Sequence, residues 1–223
     1  TEDGLNRIWI AGFNNGANIY NKTKNSFQSL FNEPFNKQSL GSNNTSYLFY
    51  NKKQNNMYVS SRDAGITIIN LKDVTKFTYK HINIESAKPL SSNYTWSINA
   101  KNSDTVYVGT IGGGLNILTY KNENYNVDYL TIADGLPDND IESVQIDASG
   151  KVWMGGRGIS AFNPITKEIK NFDVNDGLQS NSFKIGASFY DAKNETMYFG
   201  GVNGVNYFNT KEIKESLIPP DIS

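Results

Sequence analysis

The stretch VWMGGRGISAFNPITKEIKNF, residues 152–172, decides the fold. Its first apolar run, residues 152–154, ends in Gly155 and Gly156. A turn containing Gly158 leads to a second run, residues 159–162, and an Asn163-Pro164 turn leads to a third, residues 169–172. Glycine reaches the positive φ that tight hairpin turns demand, so the pattern reads strand, hairpin, strand, turn, strand. A fourth run, residues 141–146, lies just upstream.

The same grammar recurs along the chain. RIWIAGFNNGANIYNKTKNSF starts at Arg7, MYVSSRDAGITIINLKDVTKF at Met57, VYVGTIGGGLNILTYKNENYN at Val106 and MYFGGVNGVNYFNTKEIKES at Met197. The aromatic anchors are Trp9, Tyr58, Tyr107, Trp153 and Tyr198, spaced by 49, 49, 46 and 45 residues. Upstream runs at residues 46–50, 95–100 and 183–190 complete the later units. Four short strands per unit of about 40 to 50 residues are propeller blades. No segment sustains a helical period. The sequence therefore predicts an all-β chain, a β-propeller fragment of about five four-stranded blades, the first and last incomplete. Trp9 and Trp153 are expected to pack between blades.

A second motif joins the units. It reads DGLPDND from Asp134 and DGLQSNS from Asp176, with weaker copies PLSSNYT from Pro89 and SLGSNNT from Ser39. Leu40, Leu90, Leu136 and Leu178 are expected to plug the gaps between blades. Asn43, Asn93, Asn139 and Asn181 are expected to cap the loops with side-chain to backbone hydrogen bonds.

Aligning TEDGLNRIWI, residues 1–10, with IDASGKVWM, residues 146–154, makes residues 1–3 the tail of an inner strand. The first blade then lacks most of that strand. Beyond Lys211 the outer strand of the last blade is not evident. An open run of blades leaves sheet edges, so it is expected to belong to a larger ring. Residues 1–216 are assigned to blades, and residues 217–223, with Pro219-Pro220, to a linker into another domain.

Composition narrows the function. The chain has 223 residues, 21 basic and 22 acidic, with a net charge of −1 and no long run of either sign. That balance argues against nucleic-acid binding, which needs clustered cations, and against a membrane-contacting surface. Without cysteine, thiolate chemistry and Cys-based zinc sites are excluded. The single histidine, His81, lies in the outer-strand run YKHINI, where a solvent-facing side chain is expected. No usual triad base is present, and no catalytic residue, metal site or cofactor is assigned. Carboxylate pairs for a glycosidase are weak, because Asp147, Glu168, Asp173 and Glu212 fall in turns and outer strands. The segment 147–153 resembles the sialidase Asp-box, but Asp147 and Gly150 stand three apart where that box needs two.

Binding is better supported. Loops from second to third strand and loops entering the next inner strand emerge on one face of a propeller. Arg62, with Asp63 beside it, and Arg157 lie in the former loops and offer planar donor forks for hydroxyls, carboxylates or sulfates. Three residues past each loop Asn stand Ser46, Trp96, Glu142 and Lys184, a variable polar position within a regular repeat. It is expected near the central channel, where Trp96 stacks on a sugar face and Glu142 and Lys184 take hydroxyls or charge.

The combination of D-x-x-G-x-[VI]-W, G-G-x-x-G-[IV]-x-x-F-N and D-G-L-x-x-N resembles the two-component regulator propeller repeat. The chain is similar to the periplasmic sensor region of hybrid two-component systems of Bacteroides-type bacteria, most specifically over residues 132–223. The resemblance implies two seven-bladed propellers, then an immunoglobulin-like domain, a membrane helix, a histidine kinase, a receiver and a DNA-binding domain. It implies a non-enzymatic segment that senses or scaffolds, with glycan-derived oligosaccharide as ligand and the rest of the ectodomain as partner. A homodimeric parent is also implied. Two other readings stay open: a propeller lyase or glycosidase, disfavoured because lyases similar to streptogramin lyase use histidines with metal, and a protein-interaction propeller.

Overall fold

The computed structural model describes residues 1–73, 75–101, 104–122 and 124–213. Among the described residues five antiparallel sheets follow one another, each with its strands in sequence order. The first holds β1 (Ile8–Ala11), β2 (Ala17–Asn21) and β3 (Ser26–Leu30). The second holds β4 (Thr45–Asn51), β5 (Asn56–Ser61), β6 (Ile66–Asn70) and β7 (Thr78–Ile82). The third holds β8 (Thr95–Asn99), β9 (Thr105–Thr110), β10 (Leu115–Lys121) and β11 (Asn124–Leu130). The fourth holds β12 (Ile141–Ile146), β13 (Val152–Gly156), β14 (Gly158–Phe162) and β15 (Ile169–Phe172). The fifth holds β16 (Phe183–Asp191), β17 (Thr196–Gly201) and β18 (Gly204–Asn209). These are propeller blades. The first blade is three-stranded, yet Thr1 exchanges both backbone bonds with Trp9, at 2.8 and 3.1 Å, where an inner strand would end. The segment 217–223 assigned to a linker lies outside the described residues.

The core is divided among four seams, one between each pair of neighbouring blades. Trp9, Ile19 and Leu40 meet Met57, Val59 and Ile69 at the first seam. Tyr58, Ile66 and Leu90 meet Ile98, Val106 and Val108 at the second. Tyr107, Leu115 and Leu136 meet Val144, Val152 and Met154 at the third. Trp153, Ile159 and Leu178 meet Phe183, Met197 and Phe199 at the fourth. Side chains alternate across a strand, so Trp153 faces forward while Val152 and Met154 face back. Each inner blade therefore buries both faces, and its strands read as nearly continuous apolar runs. Burying a leucine or aromatic of this kind contributes about 1.5–3 kcal/mol.

The linking loops are tied alike at every seam. Asn43, Asn93, Asn139 and Asn181 accept through Oδ1 from the backbone N–H of Asn32, Ile84, Ile132 and Val174, at 2.7–3.0 Å. Their carbonyls accept from Gly16, Gly65, Gly114 and Gly158 in the hairpins of the preceding blade. These bonds put the two loop sets on one face, as expected. The residue before each Asn also has a role that the motif did not disclose. Ser42, Ser92, Asp138 and Ser180 accept from the N–H two residues on.

His81 departs from expectation. It is half-buried on β7, with Nδ1 3.3 Å from Thr67 Oγ1 and Nε2 3.1 Å from the Lys37 carbonyl oxygen. The long loop between β3 and β4 folds back over the outer strand and supplies that second partner.

Candidate functional site

Every inner strand that the structure describes with its partner carries a β-bulge, and it falls at the variable position. The ladder slips between Thr45 and Tyr47, Thr95 and Ile98, Ile141 and Ser143, and Phe183 and Ser188. Ser46, Trp96, Glu142 and Lys184 lie within those slips. A bulged residue leaves the ladder and has its side chain re-aimed, so this position is released from the strand's packing alternation. The slip is larger in the fifth blade, where Gly186 takes φ +65°.

The released side chains meet different fates. Ser46 donates to the Thr95 carbonyl at 2.8 Å and ties two inner strands. Trp96 does not stand open at the channel as a sugar platform. It is 7% exposed, because Arg62 and Tyr94 cover it. The Arg62 guanidinium lies 4.6 Å from the Trp96 ring centre and 4.4 Å from that of Phe13. It is thus held between an aromatic ring of the first blade's hairpin and one of the third blade's inner strand. Cation–π contacts of this type contribute about 0.5–2 kcal/mol each.

This cluster holds unused hydrogen-bonding capacity. Arg62 Nε, Trp96 Nε1 and Asn44 Oδ1 are all buried and without a partner. Asn44 is joined to Arg62 through its own carbonyl, which accepts the Arg62 N–H at 3.1 Å. A guanidinium N–H, an indole N–H and an amide oxygen are groups that suit a hydroxylated or carboxylated ligand. Sequence reasoning found Arg62 and Trp96 but missed Phe13, Tyr94 and Asn44 as their neighbours. Only the meeting of three blades brings these residues together.

Glu142 and Lys184 form a second group. Burial pushes the Glu142 carboxyl up, Lys184 pulls it down, and Asp140 pushes it up again. Asp140 itself accepts the Gly112 N–H at 2.7 Å. Glu142 is half-buried and Lys184 exposed. Asp63 and Arg157 are both exposed on hairpin turns of this face, and Arg157 bridges to Ser182 of the loop entering the fifth blade. A direct contact joins Arg62 to Trp96, while Lys184 acts on Glu142 through its charge.

Asp147, the residue in the Asp-box-like turn, is committed to structure. It accepts the Trp153 indole N–H at 2.8 Å and the Lys151 backbone N–H at 3.0 Å. Asp3 does the same for Trp9 at 2.7 Å. Among the described residues no group of three or more His, Asp or Glu is placed to hold a metal ion. Among them, too, no helix is long and apolar enough to cross a membrane.

No family model matches the chain. It is 28% identical over 217 residues to Histidine kinase P4 of Formosa agariphila, a match covering 96% of this chain and 15% of the kinase. Two solved extracellular domains of B. thetaiotaomicron hybrid two-component systems share its architecture. BT4673 matches with a TM-score of 0.75 and 18% identity over 95% of this chain and 29% of that one. BT3049 matches with a TM-score of 0.65 and 22% identity over 90% of this chain and 31% of that one. The chain thus spans under a third of each of these three proteins. By sequence it is related to a histidine kinase of Formosa agariphila, and its blades have the fold of the extracellular domains of B. thetaiotaomicron hybrid two-component systems.

Proposed function

We propose that this chain is a ligand-sensing or scaffolding segment of the extracytoplasmic region of a hybrid two-component histidine kinase, and that its ligand is a glycan-derived oligosaccharide. In this reading residues 1–216 are the propeller part, residues 217–223 lead into a further domain, and the segment itself catalyses nothing. The observation that carries it is the Phe13–Arg62–Trp96 cluster, with two buried N–H donors and a buried amide oxygen left unpaired. Buried polar groups without partners are uncommon in folded proteins, so their concentration beside one clamped guanidinium marks a place for ligand oxygens. Asp63 and Arg157, and the Glu142–Lys184 pair, extend the polar face along the loops.

The partner in this reading is the rest of the ectodomain. The forward face of the fifth blade carries Phe189, Val205 and Tyr207, all more than half exposed. The equivalents of Val205 in the preceding blades, Ala17, Ile66, Leu115 and Ile159, are all buried against the next sheet. A further apolar sheet suits it.

Calorimetry with a panel of neutral, uronate-bearing and sulfated oligosaccharides tests the ligand. Arg62→Lys keeps the charge and removes the fork, while Trp96→Phe keeps the ring and removes the N–H. Each is expected to weaken binding tenfold or more with the thermal midpoint little changed. Binding that survives both substitutions places the ligand elsewhere. No binding by any member of the panel, to the chain or to the complete ectodomain, overturns the oligosaccharide reading.

A further inference from the structure

The opposite face carries a second, differently built feature at the seam between the first two blades. A cleft of about 390 Å³ opens there among Arg7, Tyr50, Lys52, Asn55 and Lys72. It lies at the turns between first and second strands, away from the hairpins that hold Arg62. Its one acid, Asp3, is already saturated. Asp3 Oδ1 accepts from the Leu5 and Arg7 N–H groups, and Oδ2 accepts from Arg7 Nε and the Trp9 indole. Three cations therefore line the cleft against one fully engaged carboxylate. Arg7 is fixed by that ion pair and by the rings of Trp9 and Phe77, 5.9 and 5.5 Å from its guanidinium carbon. Its Nη2 is buried and has no acceptor.

The repeat shows that the positive charge is particular to this seam. Leu71 donates to the Asn55 carbonyl and Thr210 to the Glu195 carbonyl, both at 3.0 Å, so Lys72 and Lys211 occupy equivalent positions. In the fifth blade Lys211 is neutralised by Glu195 at 2.6 Å. In the third blade the corresponding residue is Asp104, which holds Lys53 at 2.7 Å. In the second blade it is the uncharged Asn55. Where the third and fifth blades place an internal carboxylate, Asp104 and Glu195, this one leaves room for an external one.

We propose that this cleft binds a single oxoanion group, a sulfate, phosphate or carboxylate, held by Arg7, Lys52 and Lys72. Arg7 supplies a fixed, buried N–H, and the two lysines supply mobile point charges at the rim. The proposal is independent of the sensing reading, since it uses none of the residues around Arg62.

Titration calorimetry of the chain with inorganic sulfate, inorganic phosphate and glucuronate, at ionic strength matched with chloride, tests it. One-site saturable binding of at least one of these is expected, and their order distinguishes a free ion from a sugar carboxylate. Asn55→Glu copies the carboxylate that Glu195 offers Lys211. The backbone permits it, because Asn55 and Glu195 have φ of 53° and 52°. This substitution and Lys72→Gln are each expected to weaken binding tenfold or more, with the circular dichroism unchanged. Lys211→Gln, which removes the same charge at the equivalent position, should leave binding intact. Heats no larger than those of chloride overturn the proposal. So does Asn55→Glu binding as tightly as the parent, or a loss with Arg62→Lys equal to that with Lys72→Gln.

Discussion

The four seams are of two kinds. At the first and second, a threonine opens the inner strand and reaches back into the preceding blade. Thr45 Oγ1 accepts from the Gly12 N–H at 3.0 Å and donates to the Gly16 carbonyl at 2.6 Å. Thr95 Oγ1 accepts from Ser61 at 3.1 Å and donates to Gly65 at 2.9 Å. At the third and fourth seams the same position holds Ile141 and Phe183, both buried. There the closure is apolar, with Phe183 edge-on to Phe199 and Trp153 packed between Phe172 and Phe208. The linking loops divide the same way. Before β12 and β16 a 3-10 turn forms, capped by Thr131 with Asp134 and by Asp173 with Asp176, and ended by Gly135 and Gly177 at positive φ. The loops before β4 and β8 are longer and lack it. Yet Leu40, Leu90, Leu136 and Leu178 each donate a backbone bond to the start of their loop. The repeat preserves its bonds and its plug, while the residues that close the seam change from polar to apolar.

The largest test of that contrast is Phe183→Ala. Deleting a fully buried ring from an apolar seam is expected to cost about 3–5 kcal/mol, read as a lowered urea midpoint. Thr95→Val keeps the volume and removes only the hydroxyl. It removes one of two acceptors of the Ser61 N–H, which keeps the Gly65 carbonyl at 3.0 Å, and is expected to cost about 0.5–1.5 kcal/mol. A Thr95→Val loss larger than that of Phe183→Ala would break the comparison, since the polar seam would then be the more tightly held.

The same contrast explains what could be read from the sequence. The anchors, plugs and loop asparagines repeat in type and spacing, so Trp9, Trp153, Leu136 and Asn139 could be placed by alignment. The motif weakened in the first half because Ser39 and Pro89 replace the glycine and the loop lengthens, although the bonds it encodes persist. The Ser42, Ser92, Asp138 and Ser180 column was present in the quoted motifs and could have been read as a second cap. The bulges were not legible, since one extra residue in a short strand leaves no signature in an apolar run. The burial of Trp96 was not legible either. The side chains that cover it include Arg62, 34 residues away and in another blade, and no local pattern reports that meeting.

The smallest expected effect separates the two tryptophan anchors. Asp3 and Asp147 hold the indoles of Trp9 and Trp153 in the same way, but Asp3 also takes a side-chain bond from Arg7, where Lys151 gives Asp147 only its backbone N–H. Burial pushes the Asp3 carboxyl up, while bonds from Trp9, from the Leu5 and Arg7 backbone and from the Arg7 side chain outweigh it, leaving the group below its ordinary 3.8. A carboxyl with a depressed folded-state pKa adds stability that is complete above its unfolded value and is lost as pH falls through the folded one. The stability difference between the parent and Asp3→Asn should therefore be flat from neutral pH down to about 5, then narrow below about 4. Asparagine can still accept the indole N–H, so the variant isolates the charge from the bond. A difference that persists unchanged at pH 3 would mean that the charge on Asp3 contributes nothing to the first blade. The polar character of that end would then rest on neutral hydrogen bonds such as those of Thr45 and Thr95.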